Sequence, residues 1–108
     1  MKTIIRKPHK RHQNLLQRAS TDIIRLEGNL NYTSFILLSG KKELMSYTLA
    51  MYSQMLPEGF IRVSKSCIVN KKYIKSLDQL EKKVIMTDKV ELIVSRRRWN
   101  IVIQSYAA

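Results

Sequence analysis

From Ile23 to Val94 the apolar residues fall in strand-length runs, each closed by polar or turn-forming residues. Ile23-Ile24-Arg25-Leu26-Glu27 is one such run, and Gly28, Asn29 and Asn31 then mark a loop between Leu26 and Ser34. Ser34-Phe35-Ile36-Leu37-Leu38 reads as a buried strand, with Ser39-Gly40 before Lys41-Lys42 as a turn. Phe60-Ile61-Arg62-Val63 and Cys67-Ile68-Val69-Asn70 are two further strands around the polar Ser64-Lys65-Ser66. Ile74 to Leu77 and Lys83 to Met86 follow. Thr87-Asp88-Lys89 then turns the chain into Val90 to Val94, where Val90, Leu92 and Val94 alternate at the strand period. Upstream, Asn14-Leu15-Leu16-Gln17-Arg18 has the same half-apolar, strand-like pattern.

Two segments depart from this period. Glu43 to Leu56 is compatible with one long helix through Leu44, Met51 and Met55. The preferred reading is a strand through Tyr47 and a short helix from Thr48 to Met55, because Thr48 is a natural N-cap and Leu49, Tyr52 and Met55 then share a face. Pro57 and Gly59 end that helix. At the C-terminus Trp99, Val102, Ile103 and Tyr106 stand at i, i+3, i+4 and i+7, the core stripe of an amphipathic helix with Ser95 as its expected N-cap. The sum is a mostly β domain with one short central helix and one C-terminal helix.

The chain's 108 residues make one domain, expected over residues 13–108 behind a basic flexible arm at residues 1–12. That arm carries Lys2, Arg6, Lys7, Lys10 and Arg11 with no acid, and Lys7-Pro8 discourages helix there. No apolar run reaches the ~20 residues of a membrane span, and the N-terminus has no signal-like stretch, so a cytoplasmic location without membrane insertion is expected. His9 and His12 have no nearby Cys or carboxylate, so neither a metal site nor another cofactor is expected. Cys67 is a lone cysteine inside an apolar run, which fits a packed thiol. Nucleotide-loop, zinc-protease and serine-hydrolase motifs are absent, and both histidines lie in the arm, so the chain is not read as an enzyme.

Charge narrows the function further. Twenty Lys and Arg against eight Asp and Glu give a net charge of +12, which calls for a polyanionic partner. Three polar clusters sit at loops or strand ends: Asn29 to Ser34, Ser64-Lys65-Ser66, and Ser95-Arg96-Arg97-Arg98. Asn, Ser and Thr pair with base edges, Arg grips guanine O6 and N7 with two bonds, and Lys meets phosphate. Three arginines at the positive end of a helix dipole repel one another and the dipole, a cost that an anion would relieve.

With those clusters placed, Phe60-Ile61-Arg62-Val63-Ser64-Lys65-Ser66-Cys67-Ile68-Val69-Asn70 resembles the hallmark of the LytTR family of bacterial transcriptional regulators, roughly F-[IL]-R-[VC]-H-[RN]-S-[FYH]-[IL]-V-N. Val94-Ser95-Arg96-Arg97 is similar to that family's V-S-R-R. Asp22-Ile23-Ile24-Arg25-Leu26-Glu27 followed by Asn31-Tyr32-Thr33 resembles its upstream motif, and Thr48-Leu49 before Leu56-Pro57 its T-L…L-P helix. The resemblance spans about residues 13 to 106 and implies an elongated fold of small antiparallel sheets with short helices. It implies loops entering successive major grooves of promoter DNA at paired direct repeats, with two protomers per site. Carried across by position, the implied DNA contacts are Asn31, Thr33 and Ser34, then Ser64, Lys65 and Ser66, then Arg96 and Arg97. The family's His is Ser64 here and its Arg or Asn is Lys65, so the preferred bases differ. Family members usually carry a receiver or membrane domain ahead of this one. A stand-alone domain would take its signal from outside, for instance from a regulatory protein partner.

Two other functions suit a small basic chain: an RNA-binding module, and an RNA-cleaving toxin using Tyr106 with Arg96 to Arg98. The charge makes its own prediction. With roughly 4 to 8 phosphate contacts, log K for duplex DNA should fall against log salt with a slope of about −4 to −7. A titration across salt concentrations that returned a flat line would show that the excess charge is not engaged.

Overall fold

Ile23, Ile24, Arg25 and Leu26 are consecutive and all buried, so the strand that carries them is covered on both faces. A computed structural model describes residues 16–107 and shows how. A helical turn α1 (Ala19–Asp22) leads into β1 (Ile23–Asn29), β2 (Tyr32–Leu37) and β3 (Lys42–Met45), followed by helix α2 (Leu49–Ser53). Then come β4 (Phe60–Ser64), β5 (Cys67–Asn70), a 3-10 turn (Lys71–Tyr73), β6 (Ile74–Asp78), β7 (Lys83–Met86), β8 (Glu91–Ile93) and helix α3 (Arg96–Ala107). The strands form a five-stranded antiparallel sheet in the order β3-β2-β1-β5-β4 and a three-stranded one in the order β6-β7-β8.

β1 is the middle strand of the larger sheet, and a separate core lies on each of its faces. On one, Leu26, Phe35, Met45 and Ile68 pack against Leu49 and Tyr52 of α2. The Phe35 and Tyr52 rings meet edge to face with centroids 4.8 Å apart, a favoured aromatic geometry. On the other face Ile24, Ile61, Val63 and Val69 meet Ile74, Val84 and Met86 of the smaller sheet and Trp99 and Val102 of α3. Arg25 lies among these layers at 5% exposure, with Nε donating to Glu27 and Nη1 to Asp88, each at 2.8 Å. Asp88 belongs to the β7–β8 turn, so the pair ties the two sheets together. Burial acts to lower the Arg25 pKa, but the bonds and charges of Asp88 and Glu27 outweigh it and hold the guanidinium above its ordinary value.

The mostly β architecture with a short central and a C-terminal helix is as expected, and five local features differ. The run at residues 14–18 is not a strand where it is described. Asp22 N–H donates to Arg18 O at 2.8 Å, Thr21 N–H to the same oxygen at 3.1 Å, and the Arg18 guanidinium lies 3.3 Å from Asp22, an i,i+4 ion pair that favours helix. The loop expected from Leu26 to Ser34 is a hairpin with a two-residue turn, Leu30-Asn31. Gly28 is inside β1 because α2 packs onto it: a Cβ there would stand 3.0 Å from Leu49 Cβ. The strand expected through Tyr47 stops at Met45, and Thr48 then caps α2 as its residue type predicts, its hydroxyl accepting from Met51 N–H at 3.3 Å. The helix itself is shorter than expected, ending at Ser53. Ser95 precedes α3, but its hydroxyl accepts from the Arg98 guanidinium at 3.4 Å. The basic arm at residues 1–12 lies outside the described residues. No described helix is long and apolar enough to cross a membrane.

Phe35 is wholly buried against α2. Phe35→Ala should therefore cost about 3–5 kcal/mol in urea unfolding, the range for emptying a large aromatic site. A loss below about 1 kcal/mol would show that α2 does not close this face.

Candidate nucleic-acid interface

Two backbone hydrogen bonds assemble the three polar clusters. Gly28 N–H, near the end of β1, donates to Ser66 O in the β4–β5 turn at 2.8 Å. Ser95 N–H, just ahead of α3, donates to Val63 O in β4 at 2.9 Å. The β1–β2 hairpin tip, the β4–β5 turn and the first turn of α3 thus gather at one end of the molecule. The β6–β7 turn joins them, because Val94 N–H donates to Lys82 O at 3.0 Å.

Asn31 is exposed at the hairpin tip, beside Leu30, which is 92% exposed and holds a left-handed φ of 53°. A leucine in that conformation costs about 1–2 kcal/mol, so the tip is a strained backbone displaying an amide and an apolar side chain. Apolar groups at such a tip suit the thymine methyl, and amides suit adenine. In the β4–β5 turn Lys65 and Ser66 are exposed and Ser64 is half-buried. The turn is held from behind by Arg62, which donates through Nε to Ser64 O at 3.1 Å and through Nη2 to Lys65 O at 2.6 Å. Hairpin and turn flank an open depression of about 320 Å³ lined by Asn29, Leu30, Thr48, Arg62 and Lys65 among others.

Arg96 and Arg97 are exposed on the first turn of α3, while Arg98 turns back to Ser95. Lys82 lies over Trp99, with Nζ 5.4 Å from the ring centroid. Lys83 is different: it meets Glu91 at 3.3 Å and Glu81 at 3.4 Å, and these carboxylates hold its ammonium above its ordinary pKa. Among the described residues at this end Lys65, Lys82, Arg96 and Arg97 are exposed cations without a carboxylate in ion-pair range, and so are available to an anion, whereas Arg62 and Arg98 are half-buried and donate to oxygens within the protein.

Of the eight residues singled out in the sequence, Asn31, Ser64, Lys65, Ser66, Arg96 and Arg97 are brought to this end. Thr33 needs correction as a contact residue. It is 0% exposed, and its hydroxyl donates to Tyr47 O at 2.8 Å, tying β2 to the segment ahead of α2. Ser34 stands half-buried within β2, opposite Glu27 and Leu44, rather than at the tip. Both follow from the hairpin being tighter than the expected loop. Leu30, Arg62 and Lys82 also stand at this end, outside the residues singled out from the three polar clusters. Arg62 had a visible signal, a charge between the apolar Ile61 and Val63 of a strand, whereas Leu30 and Lys82 carried none.

The profile of the LytTr DNA-binding domain family matches residues 14–104 of the chain. A solved structure from Bacillus cereus, described as a LytTr DNA-binding domain, superposes with a TM-score of 0.71 at 22% sequence identity, covering 82% of this chain and 84% of that one. No curated protein matches the chain.

Cys67 lies directly behind the interface, paired with Ser64 across the ladder and with Glu27 of β1 on its other side. Burial, with the nearby Glu27 charge, pushes its thiol up to about 12. The neutral thiol is the form that folding favours. That contribution to stability is present in full below the unfolded thiol's pKa of about 8.5 and is lost as pH rises from there toward 12. At pH 8 the native protein should resist iodoacetamide and become alkylated only in denaturant, as followed by mass spectrometry. Rapid labelling of the native state would show that the turn opens and exposes the thiol.

Proposed function

Because the chain belongs to the LytTr DNA-binding domain family, a family of DNA-binding rather than catalytic domains, we propose that it binds duplex promoter DNA in a sequence-specific manner and regulates transcription in the cytoplasm. The observation that carries this reading is the gathering at one end of loops distant in sequence, each presenting donors, with four exposed cations that, among the described residues, no carboxylate pairs. A major groove is about 12 Å wide and displays mostly acceptors at guanine and mixed edges at adenine. The hairpin tip, the β4–β5 turn and the start of α3 are the segments that would enter it.

In this reading Arg96 and Arg97 supply guanine or phosphate contacts, Lys65 pairs with acceptors in the same groove, and Asn31 offers both amide edges to adenine. Ser64 and Ser66 add short hydroxyl contacts. Thr33 and Ser34 act only through the hairpin they support. One domain of this size covers a single half-site, so paired direct repeats occupied by two protomers, with or without a further regulatory protein, complete the proposal. An RNA partner suits the site less well, because an A-form helix closes its major groove to side chains.

The test compares binding to a duplex selected from a random pool with binding to its scrambled counterpart. Arg96→Ala should cost about 1–3 kcal/mol on the selected duplex and relax discrimination at one base pair. Lys75→Ala, in an exposed position on β6 remote from the turn, should alter both duplexes little and alike. Equal losses for the two variants, or structured RNA competing as well as duplex DNA, would overturn this assignment.

A further inference from the structure

The β4–β5 turn has carbonyl oxygens at Ser64, Lys65 and Ser66, and each accepts from a donor inside the protein. Arg62 Nε takes the first at 3.1 Å, Arg62 Nη2 the second at 2.6 Å, and Gly28 N–H the third at 2.8 Å. The Ser64 hydroxyl oxygen is engaged as well, accepting from Ser66 N–H at 3.3 Å. A surface turn ordinarily shows its carbonyls to solvent, where their partial negative charge repels phosphate and finds no partner on a base acceptor. Here each carbonyl already holds a donor from the protein. What the turn offers outward is the Lys65 ammonium, which only donates, and two serine hydroxyls, of which Ser64 already accepts one bond and is left mainly its proton to give.

We infer that Arg62 is a positioning residue that makes this turn a donor-rich face, favouring acceptor-rich edges such as guanine O6 and N7 or phosphate oxygens. The inference rests on the DNA-binding reading above for its ligand, though not for its geometry. A guanidinium is a rigid planar fork with donors at fixed divergent angles, so one side chain spans two successive carbonyls. An ammonium at the same site has the charge without the fork. Arg62 is well placed for this: it sits in β4 opposite Ile68, two residues ahead of the turn, and the ladder slips between Arg62 and Ser64. That irregularity brings the carbonyls of Ser64 and Lys65 back within reach of the preceding strand. Its positive charge also lies behind the turn, where it adds to the field that Lys65 presents.

This role differs from direct phosphate contact, because the donors in question are spent within the protein. It also differs from a core role. Arg62 is half-buried and belongs to neither core.

The deciding experiment takes Arg62→Lys and Arg62→Gln in the full chain, with two independent readouts. In the DNA-free protein, amide relaxation should show residues 64–66 moving from rigid order parameters of about 0.85 toward 0.6 or below in both variants. On DNA, both should bind the selected duplex about tenfold more weakly, equivalent to losing one charge-assisted hydrogen bond. Affinity for the scrambled duplex and its salt slope should be unchanged in Arg62→Lys, and the thermal midpoint should move little. A turn that stays rigid in both variants would overturn the clamp. So would an Arg62→Lys protein that keeps full discrimination while Arg62→Gln lowers both duplexes equally and cuts the salt slope by about 1, the mark of a phosphate contact. If the wild-type protein binds no duplex DNA, the proposed function fails, and the relaxation data still decide the role of Arg62.

Discussion

The burial of β1 on both faces is the constraint from which the rest of the molecule follows. A strand whose consecutive residues Ile23 to Leu26 are all buried needs a layer on each side. Helix α2 supplies one layer, and the smaller sheet with α3 supplies the other. Arg25 is the residue at which this demand conflicts with chemistry. A guanidinium taken out of water is costly unless its donors are met, and Glu27 and Asp88 meet them at 2.8 Å. Such a pair contributes less to stability than apolar residues of the same size could. Its directional bonds instead fix how the smaller sheet sits on the larger one.

That fixed relation matters because the interface draws on both layers. The hairpin tip and the β4–β5 turn extend from strands of the larger sheet, while α3 packs its Trp99 and Val102 into the second core. If the layers slid, the arginines of α3 would leave the register of Lys65. The hallmark sequence divides along the same line. Ile61, Val63, Ile68 and Val69 fill cores, and Asn70 is buried, with Nδ2 donating to Ile23 O at 2.9 Å and Oδ1 capping the 3-10 turn at Lys72 N–H, 3.1 Å away. Between these buried stretches Lys65 and Ser66 reach solvent. One short motif thus builds the scaffold and the contact surface together.

The charge is distributed differently from the contact surface. β1 is about 20 Å long at the usual rise, and the end away from the interface also carries exposed Lys41, Lys42, Lys72 and Lys75. The net charge of +12 is therefore a property of the whole molecule. It draws the protein toward polyanions and speeds encounter, while the geometry at one end decides what is read.

Much of the fold was legible because strand signals are local. Turn-formers and strand-period alternation located most strands, Thr48 located a helix start, and the stripe from Trp99 to Tyr106 located α3. The motif residues at 64–66 and 96–97 were legible through their polarity between apolar neighbours. What the sequence left open depended on partners far along the chain. Gly28 looked like a turn residue until Leu49 came to lie against it, and Thr33 looked like a surface hydroxyl until Tyr47 O accepted its proton. Residue type and period determine which stretches become strands, which become helices and how strongly the chain attracts an anion. Which polar groups remain exposed was decided only by the tertiary structure, because a donor or acceptor is consumed by whatever long-range packing places within hydrogen-bonding distance of it.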